Sequence, residues 1–547
     1  MNTFHISGNI IDVRGRRTYP GTIYVEQGRI SRIEADEQSY DTCLLPGFID
    51  AHVHVESSML IPSEFARLAV VHGTVGTISD PHEIANVMGV SGVEYMLENG
   101  SRVPFKFNFG APSCVPATTF ETAGAQVSVA EVAALLRRPD IRYLTEMMNF
   151  PGVLQKEPEV MAKIAAAQAV GKPVDGHAPG LRGDAARQYI AAGISTDHEC
   201  FTAEEALDKL AHGMHILIRE GSAALNFDAL IPLLPEHYNH IMFCSDDKHP
   251  DNLVQGHINL LVKRALALGM DLYKVLQAAC VNPVTHYKLD VGLLQPGDPA
   301  DFIVIDNIQD FNILTTYVDG IKVATQGETL ISSINEAVVN NFECTPKVPS
   351  DFVIPATDGK DMVTIHVMEA LDGQLITNSS KMPLSVTDGM LKADVSRDIL
   401  KIAVVNRYHH APVAAGFIRN FGLTEGAIAS SVAHDSHNII AVGVDDDSLC
   451  KAVNAVISYR GGISAYGSAG LKLLPLPVAG LMSNLDGYTV AAQYSTLDEA
   501  AKALGSTLSA PFMTLSFMAL LVIPHLKLSD QGLFDGDAFA FTPVIAQ

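Results

Sequence analysis

Short apolar runs alternate with longer segments of helical spacing through the first half of the chain. Ala- and Leu-rich stretches with apolar residues three and four apart predict helices at 129–138, 158–170, 183–192 and 203–212. The apolar runs predict eight short buried strands, around 49–55, 74–79, 105–110, 142–146, 173–177, 193–198, 214–218 and 240–246. Strands that alternate with helices in this way indicate βαβ units and a parallel sheet.

Eight such units within residues 46–287 have the repeat and the size of a TIM-like (β/α)8 barrel. On either side of them, residues 1–45 and 288–345 contain short strands separated by turns. Beyond a Pro-rich stretch, residues 346–547 combine strands with two helical patterns, at 446–459 and 497–504. We therefore predict an α/β protein in which this last segment folds as a C-terminal α/β domain of its own.

The first apolar run is interrupted by His52 and His54, which lie two residues apart. Side chains at positions i and i+2 of a strand point to the same face, so both imidazoles aim at one point. A strand presents two nitrogens to a metal ion in this way. For this motif alone, a pair of structural histidines remains an equal alternative.

Further polar side chains stand at the predicted ends of the later strands, where the active sites of such barrels lie. They are Asp80, Ser113, Glu146, His177, His198, Glu220 and Asp246. So many candidate ligands at one barrel mouth favour a metal site over a set of structural polar residues. Imidazole and carboxylate ligands without thiolate suit Mn²⁺, Fe²⁺ or Zn²⁺, so the ligand types do not select the metal.

The order of these residues along the strands resembles the amidohydrolase superfamily. Within it, five phrases together resemble the bacterial adenine deaminase family: "PGFIDAHVHVESSML", "SDPHEIANVMG", "EMMNFPGV", "DGHAPG" and "FCSDDKHPDNL". The resemblance extends over the whole chain and implies a small β-sandwich, built from both segments that flank the barrel. It also implies two divalent metal ions per subunit, Mn²⁺ or Fe²⁺ before Zn²⁺, and a homodimer that deaminates adenine to hypoxanthine.

The resemblance assigns roles to the strand-end residues. The implied ligands are His52, His54 and Asp246 for one ion and His177 and His198 for the other, with Glu146 bridging both. Two nearby cations lower the pKa of a water molecule and generate hydroxide, which we expect to attack C6 of adenine. Asp246 is then placed to take a proton and relay it to the departing amine.

The purine ring is easier to attack when its N1 is protonated, and the run "SDPHE" supplies candidate acids. We predict that Glu83 donates this proton and that Asp80 and His82 bind the substrate beside it. The alternative is that Asp80 or Glu83 caps the helix after the second strand. Glu56, just after the two histidines, and His249, just after the last strand, are further candidates for substrate contact.

A second group of histidines lies in the C-terminal segment, where "AHDSHN" contains His434, Asp435 and His437. Three interpretations stay open for this group: a further metal site, a pocket wall completed when domains or subunits pack together, or polar loop residues.

Composition limits the partners. The net charge of −24 argues against nucleic acid, because phosphate binding needs clustered Lys and Arg. The most apolar run, 512–524, is too short to span a bilayer and predicts a core helix. Seven widely spaced cysteines, none in a C-x-x-C pair, fit reduced thiols in the cytoplasm.

Two other functions remain possible at this point. One is a different amidohydrolase activity, such as a guanine deaminase or a cyclic amidase. The other is a metal-binding scaffold without catalysis, although every expected ligand position is filled in this sequence.

Overall fold

The computed structural model describes residues 3–334, 336–356 and 359–546. Eight parallel strands follow one another in the predicted order: Phe48–Val53, Thr74–Ser79, Lys106–Phe109, Leu144–Met147, Val174–Gly176, Thr196–Asp197, His215–Arg219 and Ile241–Cys244. These strands pair in three groups, which the bridges Ala111–Leu144 and Val174–Ile194 join to one another. The bridge Val53–Asp246 connects the last strand to the first. The predicted α/β class is confirmed.

Helices connect the strands and cover the outside of the barrel. They are Pro62–Ala69, His82–Met88, Val90–Ser101, Val129–Leu136, Phe150–Gln155, Pro158–Ala169, Gly183–Ala191, Ala203–Ala211, Phe227–Leu230, Leu234–His237, Pro250–Gln255, Ile258–Ala267, Leu272–Leu276 and Asn282–His286. Their starts follow from local chemistry. Ser128 and Glu131 form a reciprocal capping box, and the Thr202 hydroxyl accepts the backbone N–H of Glu205.

The segments that flank the barrel form one eight-stranded sheet. Its strands are Phe4–Asp12, Arg17–Glu26, Arg29–Ala35, Cys43–Pro46, Phe302–Ile305, Ile313–Val318, Ile321–Thr325 and Glu328–Thr329. The rings of Phe4 and Tyr317 stack with their centres 5.3 Å apart, although two other strands lie between the strands that carry them. The sheet therefore curls over its own core. The small β-sandwich domain built from both flanking segments stays a prediction.

A ten-stranded sheet is the centre of the C-terminal segment. In sheet order its strands are Ile354–Pro355, Met390–Leu391, Thr377–Thr387, Met362–Ala370, Ala414–Arg419, Leu400–Val405, Ile439–Gly443, Ala427–Ser430, Gly462–Gly467 and Gly470–Pro475. A smaller sheet contains Leu526–Ser529, Gly532–Asp535 and Ala540–Phe541, and the helices are Asp446–Ser458, Gly487–Ala503 and Pro511–Phe517. The domain boundaries at 45/46, 287/288 and 345/346 stay predictions.

The C-terminal segment packs against the mouth of the barrel. Ser483 donates its backbone N–H to the carbonyl of Met59, which follows the first barrel strand, at 2.8 Å. Thr122, in the loop after the third strand, donates its backbone N–H to Asp530 at 2.9 Å. Both contacts lie beyond the C-terminal ends of strands, so this segment covers the face that carries the candidate site. Within the described ranges, no helix has the length and apolar character needed to cross a bilayer.

Candidate metal centre and substrate cavity

The first and last barrel strands bring three of the predicted ligands together. The Nε2 atoms of His52 and His54 lie 3.3 Å apart, and Asp246 Oδ1 lies 3.3 Å and 3.2 Å from them. Asp246 has a left-handed backbone conformation, with φ of +55°, and its N–H donates to the carbonyl of His52 at 2.9 Å. A non-glycine residue held in that region is typical of functional sites.

Glu146 joins this group to the other two predicted ligands. Its Oε1 lies 3.3 Å from His54 Nε2. Its Oε2 accepts from His177 Nδ1 at 2.8 Å and lies 3.2 Å from His198 Nε2. The structure thus brings all six predicted metal ligands to one place, with the Glu146 carboxylate between the two sets; their roles stay predictions.

The group is buried, and its electrostatics suit a cation. Burial alone raises the pKa of the Glu146 carboxyl, but the charges of His177 and His198 hold it well below its usual range. Burial and the neighbouring charge of His198 lower the pKa of His52. His177 Nε2 is buried without a hydrogen-bond partner among the described residues. Converging imidazole nitrogens and ionised carboxylates of this kind fit divalent metal ions.

Two charged residues that the sequence analysis missed support this group. Glu199 Oε1 lies 3.4 Å from His198 Nε2 and 3.6 Å from His177 Nδ1, so it is a further candidate ligand. Arg219 is fully buried and donates to Glu199 and, at 2.7 Å, to Asp246 Oδ2. The available signals were the position of Glu199 directly after His198 and the arginine at the end of an apolar strand.

The second strand supplies a polar wall next to the ligands. Asp80 Oδ1 accepts the backbone N–H of His82 at 3.0 Å, and Asp80 Oδ2 lies 3.1 Å from His82 Nδ1. The carbonyl of Asp80 lies 3.3 Å from His54 Nδ1. Asp80 therefore supports the start of the helix His82–Met88, as the capping alternative expects, and also orients two imidazoles.

Glu83 faces the C-terminal domain instead of capping its helix. His434 Nδ1 lies 2.6 Å from Glu83 Oε1, and His437 Nε2 donates to Oε2. Burial alone raises the pKa of the Glu83 carboxyl, but the positive charge of His434 holds it well below its usual range. Burial lowers the pKa of His434, while the charge of Glu83 raises it to about 9. Of the three open interpretations, a wall completed by domain packing describes His434, which lines the cavity, while His437 lies behind it. The further metal site stays a prediction, because His82, Glu83 and Asp435 lie close enough together to hold an ion.

These groups surround a cavity at the barrel mouth, between the barrel and the C-terminal domain. The polar lining comes mainly from barrel residues and includes His82, Glu83 and five of the six candidate ligands, all except His52. The apolar side is formed by Met148, Leu375, Phe517 and Leu520. Three of these four apolar residues come from the C-terminal domain.

Comparison with known proteins identifies the family. The model of the amidohydrolase family matches residues 43–323, and the model of the adenine deaminase C-terminal domain matches residues 374–540. The chain is 58% identical to adenine deaminase from Salinibacter ruber, over 98% of both chains. It is 55% identical to adenine deaminase from Sulfurovum sp., over 98% of both chains, and 50% identical to that from Methanosarcina mazei, over 98% of this chain and 99% of the relative. The chain belongs to the adenine deaminase family.

Three predicted substrate contacts of this adenine deaminase family member, Asp80, Glu56 and His249, are absent from the described residues that line the cavity, and substrate contact by them stays a prediction. Glu56 Oε1 accepts the backbone N–H of Ile84 at 3.2 Å, so its carboxyl lies behind the helix that carries Glu83. The His249 ring packs against Tyr494 with ring centres 4.5 Å apart. In this structure both side chains contact neighbouring protein groups: Glu56 contacts the helix that carries Glu83, and His249 contacts Tyr494.

Proposed function

We propose that this chain is an adenine aminohydrolase, which converts adenine and water to hypoxanthine and ammonia. The observation that carries the proposal is the buried Glu146 carboxylate between two sets of imidazoles, at the floor of a cavity with one polar and one apolar side. The names of the relatives support the choice of adenine. A flat base fits between an apolar cover and a polar floor.

Two divalent metal ions, Mn²⁺ or Fe²⁺ with Zn²⁺ as the alternative, complete the site in this proposal. His52, His54 and Asp246 would hold one ion and His177 and His198 would hold the other, with the Glu146 carboxylate lying between the two sets. Metal ions bound in this way lower the pKa of a water molecule and so supply the hydroxide nucleophile at neutral pH.

Asp246 and Glu83 move the protons. Asp246 takes one proton from the attacking water, and the Glu83–His434 pair gives one to N1 as the new C6–O bond forms. Asp246 then passes its proton to the amino group, the C6–N6 bond breaks, and ammonia leaves with the bond electrons. The proton of the remaining C6 hydroxyl returns to the acid pair, which leaves hypoxanthine.

Arg219 fixes the direction in which Asp246 acts. It donates to Asp246 Oδ2 at 2.7 Å, so the other oxygen stays on the side of His52 and His54. A proton acceptor must be held within hydrogen-bond reach of the reacting water, and this ion pair supplies that restraint.

The wider setting is also a proposal. An acidic chain with clustered carboxylates supports a small-molecule partner and no nucleic acid. Widely spaced cysteines support a cytoplasmic location. The homodimer implied by the family resemblance stays a prediction.

The Asp246→Asn variant tests the proton-transfer role. It keeps an oxygen ligand but removes the proton acceptor, so we expect adenine turnover to fall at least about 100-fold while both metal ions stay bound. Adenine consumption and metal content are measured on the same sample. Full activity of the metal-loaded Asp246→Asn variant contradicts the role of Asp246. If the unsubstituted protein acts only on guanine or on a cyclic amide, the choice of adenine as substrate is contradicted.

A further inference from the structure

One turn of the C-terminal domain holds both oxygens of a barrel carboxylate. His434 and His437 contact Glu83 across 351 and 354 residues of sequence, one at each carboxylate oxygen. All three side chains are at least 97% buried. Two bonds to the two oxygens of one carboxylate fix its plane as well as its position.

We propose that the C-terminal domain completes the catalytic site and that His437 is a positioning residue, which holds the Glu83 carboxylate of the Glu83–His434 pair at the substrate. This inference rests on the proposed function, because it concerns the group that protonates the purine. It gives a role to the turn "AHDSHN", residues 433–438.

The hydrogen bonds of His437 define what it donates. Its Nδ1 accepts the backbone N–H of Ala433 at 3.3 Å, so the neutral ring carries its proton on Nε2. Nε2 is the atom that contacts Glu83. The backbone of the turn thereby selects the tautomer that donates to the carboxylate, and His437 itself does not line the cavity.

His434 connects the same carboxylate to the apolar cover. Its ring stacks on Phe517 with centres 5.1 Å apart and an interplanar angle of 28°. Both residues line the cavity, and the buried Nε2 of His434 has no hydrogen-bond partner within the described part of the chain. The C-terminal domain therefore places the acid and the cover of the base pocket through one set of contacts.

A contact that only joined the domains would have different consequences. Removing it would lower Tm and would leave kcat of the folded, metal-loaded protein unchanged, because the chemistry would not depend on the contact. A positioning role acts through Glu83, so its effect on turnover disappears once the Glu83 carboxylate is gone.

The test is a double-mutant cycle on the full-length, metal-loaded protein. We expect His437→Ala to lower kcat for adenine about 100-fold, as for a displaced catalytic group, with KM changed less than about threefold and metal content unchanged. His437→Gln places an amide nitrogen near Nε2 and should recover at least about tenfold of that loss. In the Glu83→Gln background, His437→Ala should have no further effect on kcat.

The control is His410→Ala, which removes an exposed histidine of the same domain and should leave kcat unchanged. Equal losses from His437→Ala in both backgrounds, or a glutamine variant no better than alanine, overturn the inference.

A failure of the proposed function is visible separately. It appears when the unsubstituted protein, with its metal bound, does not convert adenine. The same cycle is then measured as shifts in Tm of the metal-free protein. If the Tm shift of the double variant differs from the sum of the two single shifts, the contact between Glu83 and His437 is supported. If the two shifts simply add, the inference is overturned.

Discussion

At the scale of single residues, Glu121 shows how the protonation of one buried carboxyl group affects the stability of the protein. It lies in the loop after the third barrel strand, 7% exposed, and one carboxyl oxygen accepts from the Thr118 hydroxyl at 3.1 Å. Burial raises the pKa of Glu121, and the negative charge of Asp435 raises it further, to about 8. Glu121 is therefore protonated in the folded protein at a pH where the unfolded chain has lost that proton.

The sign of the effect on stability follows. Because the folded pKa lies above the unfolded value of about 4.3, the stabilising effect of the neutral form is complete below that value and is lost as pH rises through about 8. Glu121→Gln stays neutral throughout. Its Tm should match that of the unsubstituted protein near pH 4 and exceed it by a few degrees, about 2 °C or more, near pH 9.

Thermal unfolding between pH 4 and pH 9 measures this gap. Glu236→Gln, which changes an exposed glutamate, should give a gap that does not vary with pH. A constant gap for Glu121→Gln as well would show that the folded protein does not retain the proton.

The scale of elements shows which features the sequence can predict. The eight barrel strands and the helices 129–136 and 158–169 come from local periodicity, which is why their order was predictable. The six ligands stand at strand ends, and the barrel geometry brings strand ends together. The apolar run 512–524 predicted only a core helix. The helix Pro511–Phe517 also supplies Phe517 to the cavity, because its C-terminal end lies at the barrel mouth.

Lys527 anchors this cover. It is fully buried in the strand Leu526–Ser529, and its Nζ donates to the carbonyls of Leu375 at 2.7 Å and Phe517 at 2.9 Å. Both carbonyls belong to residues that line the cavity. The Lys527 side chain thus connects Leu375 and Phe517, two residues of the apolar lining.

Replacing Lys527 with Met keeps the apolar stem and leaves the Leu375 carbonyl without a partner among the described residues, while the Phe517 carbonyl still accepts the backbone N–H of Leu520 at 3.1 Å. An unpaired buried carbonyl costs about 1–3 kcal/mol, so we expect the wall to shift and KM for adenine to rise about tenfold, with kcat changed less. Steady-state kinetics measure both quantities. Lys502→Met, on an exposed lysine, is the control, and an unchanged KM for Lys527→Met would show that the wall does not depend on this anchor.

At the scale of the whole molecule, the site is shared between two parts of the chain. The barrel supplies the candidate metal ligands, and the C-terminal domain supplies Leu375, Phe517 and the histidines that hold Glu83. Sequence patterns could not predict this sharing, because a contact across 351 residues depends on how the domains pack. The buried ion pairs of Arg219 were missed for the same reason, since a pattern of apolar residues does not show which charges meet inside a barrel.

The most direct test of the account is the ultraviolet absorbance of adenine with purified protein, first stripped of metal and then refilled with Mn²⁺ or Fe²⁺. Metal content is measured in parallel, because the account requires two ions per chain. We expect no conversion by the stripped protein and, after refilling, conversion of adenine to hypoxanthine with release of ammonia. Unchanged adenine in protein that holds two ions per chain would contradict the proposed activity.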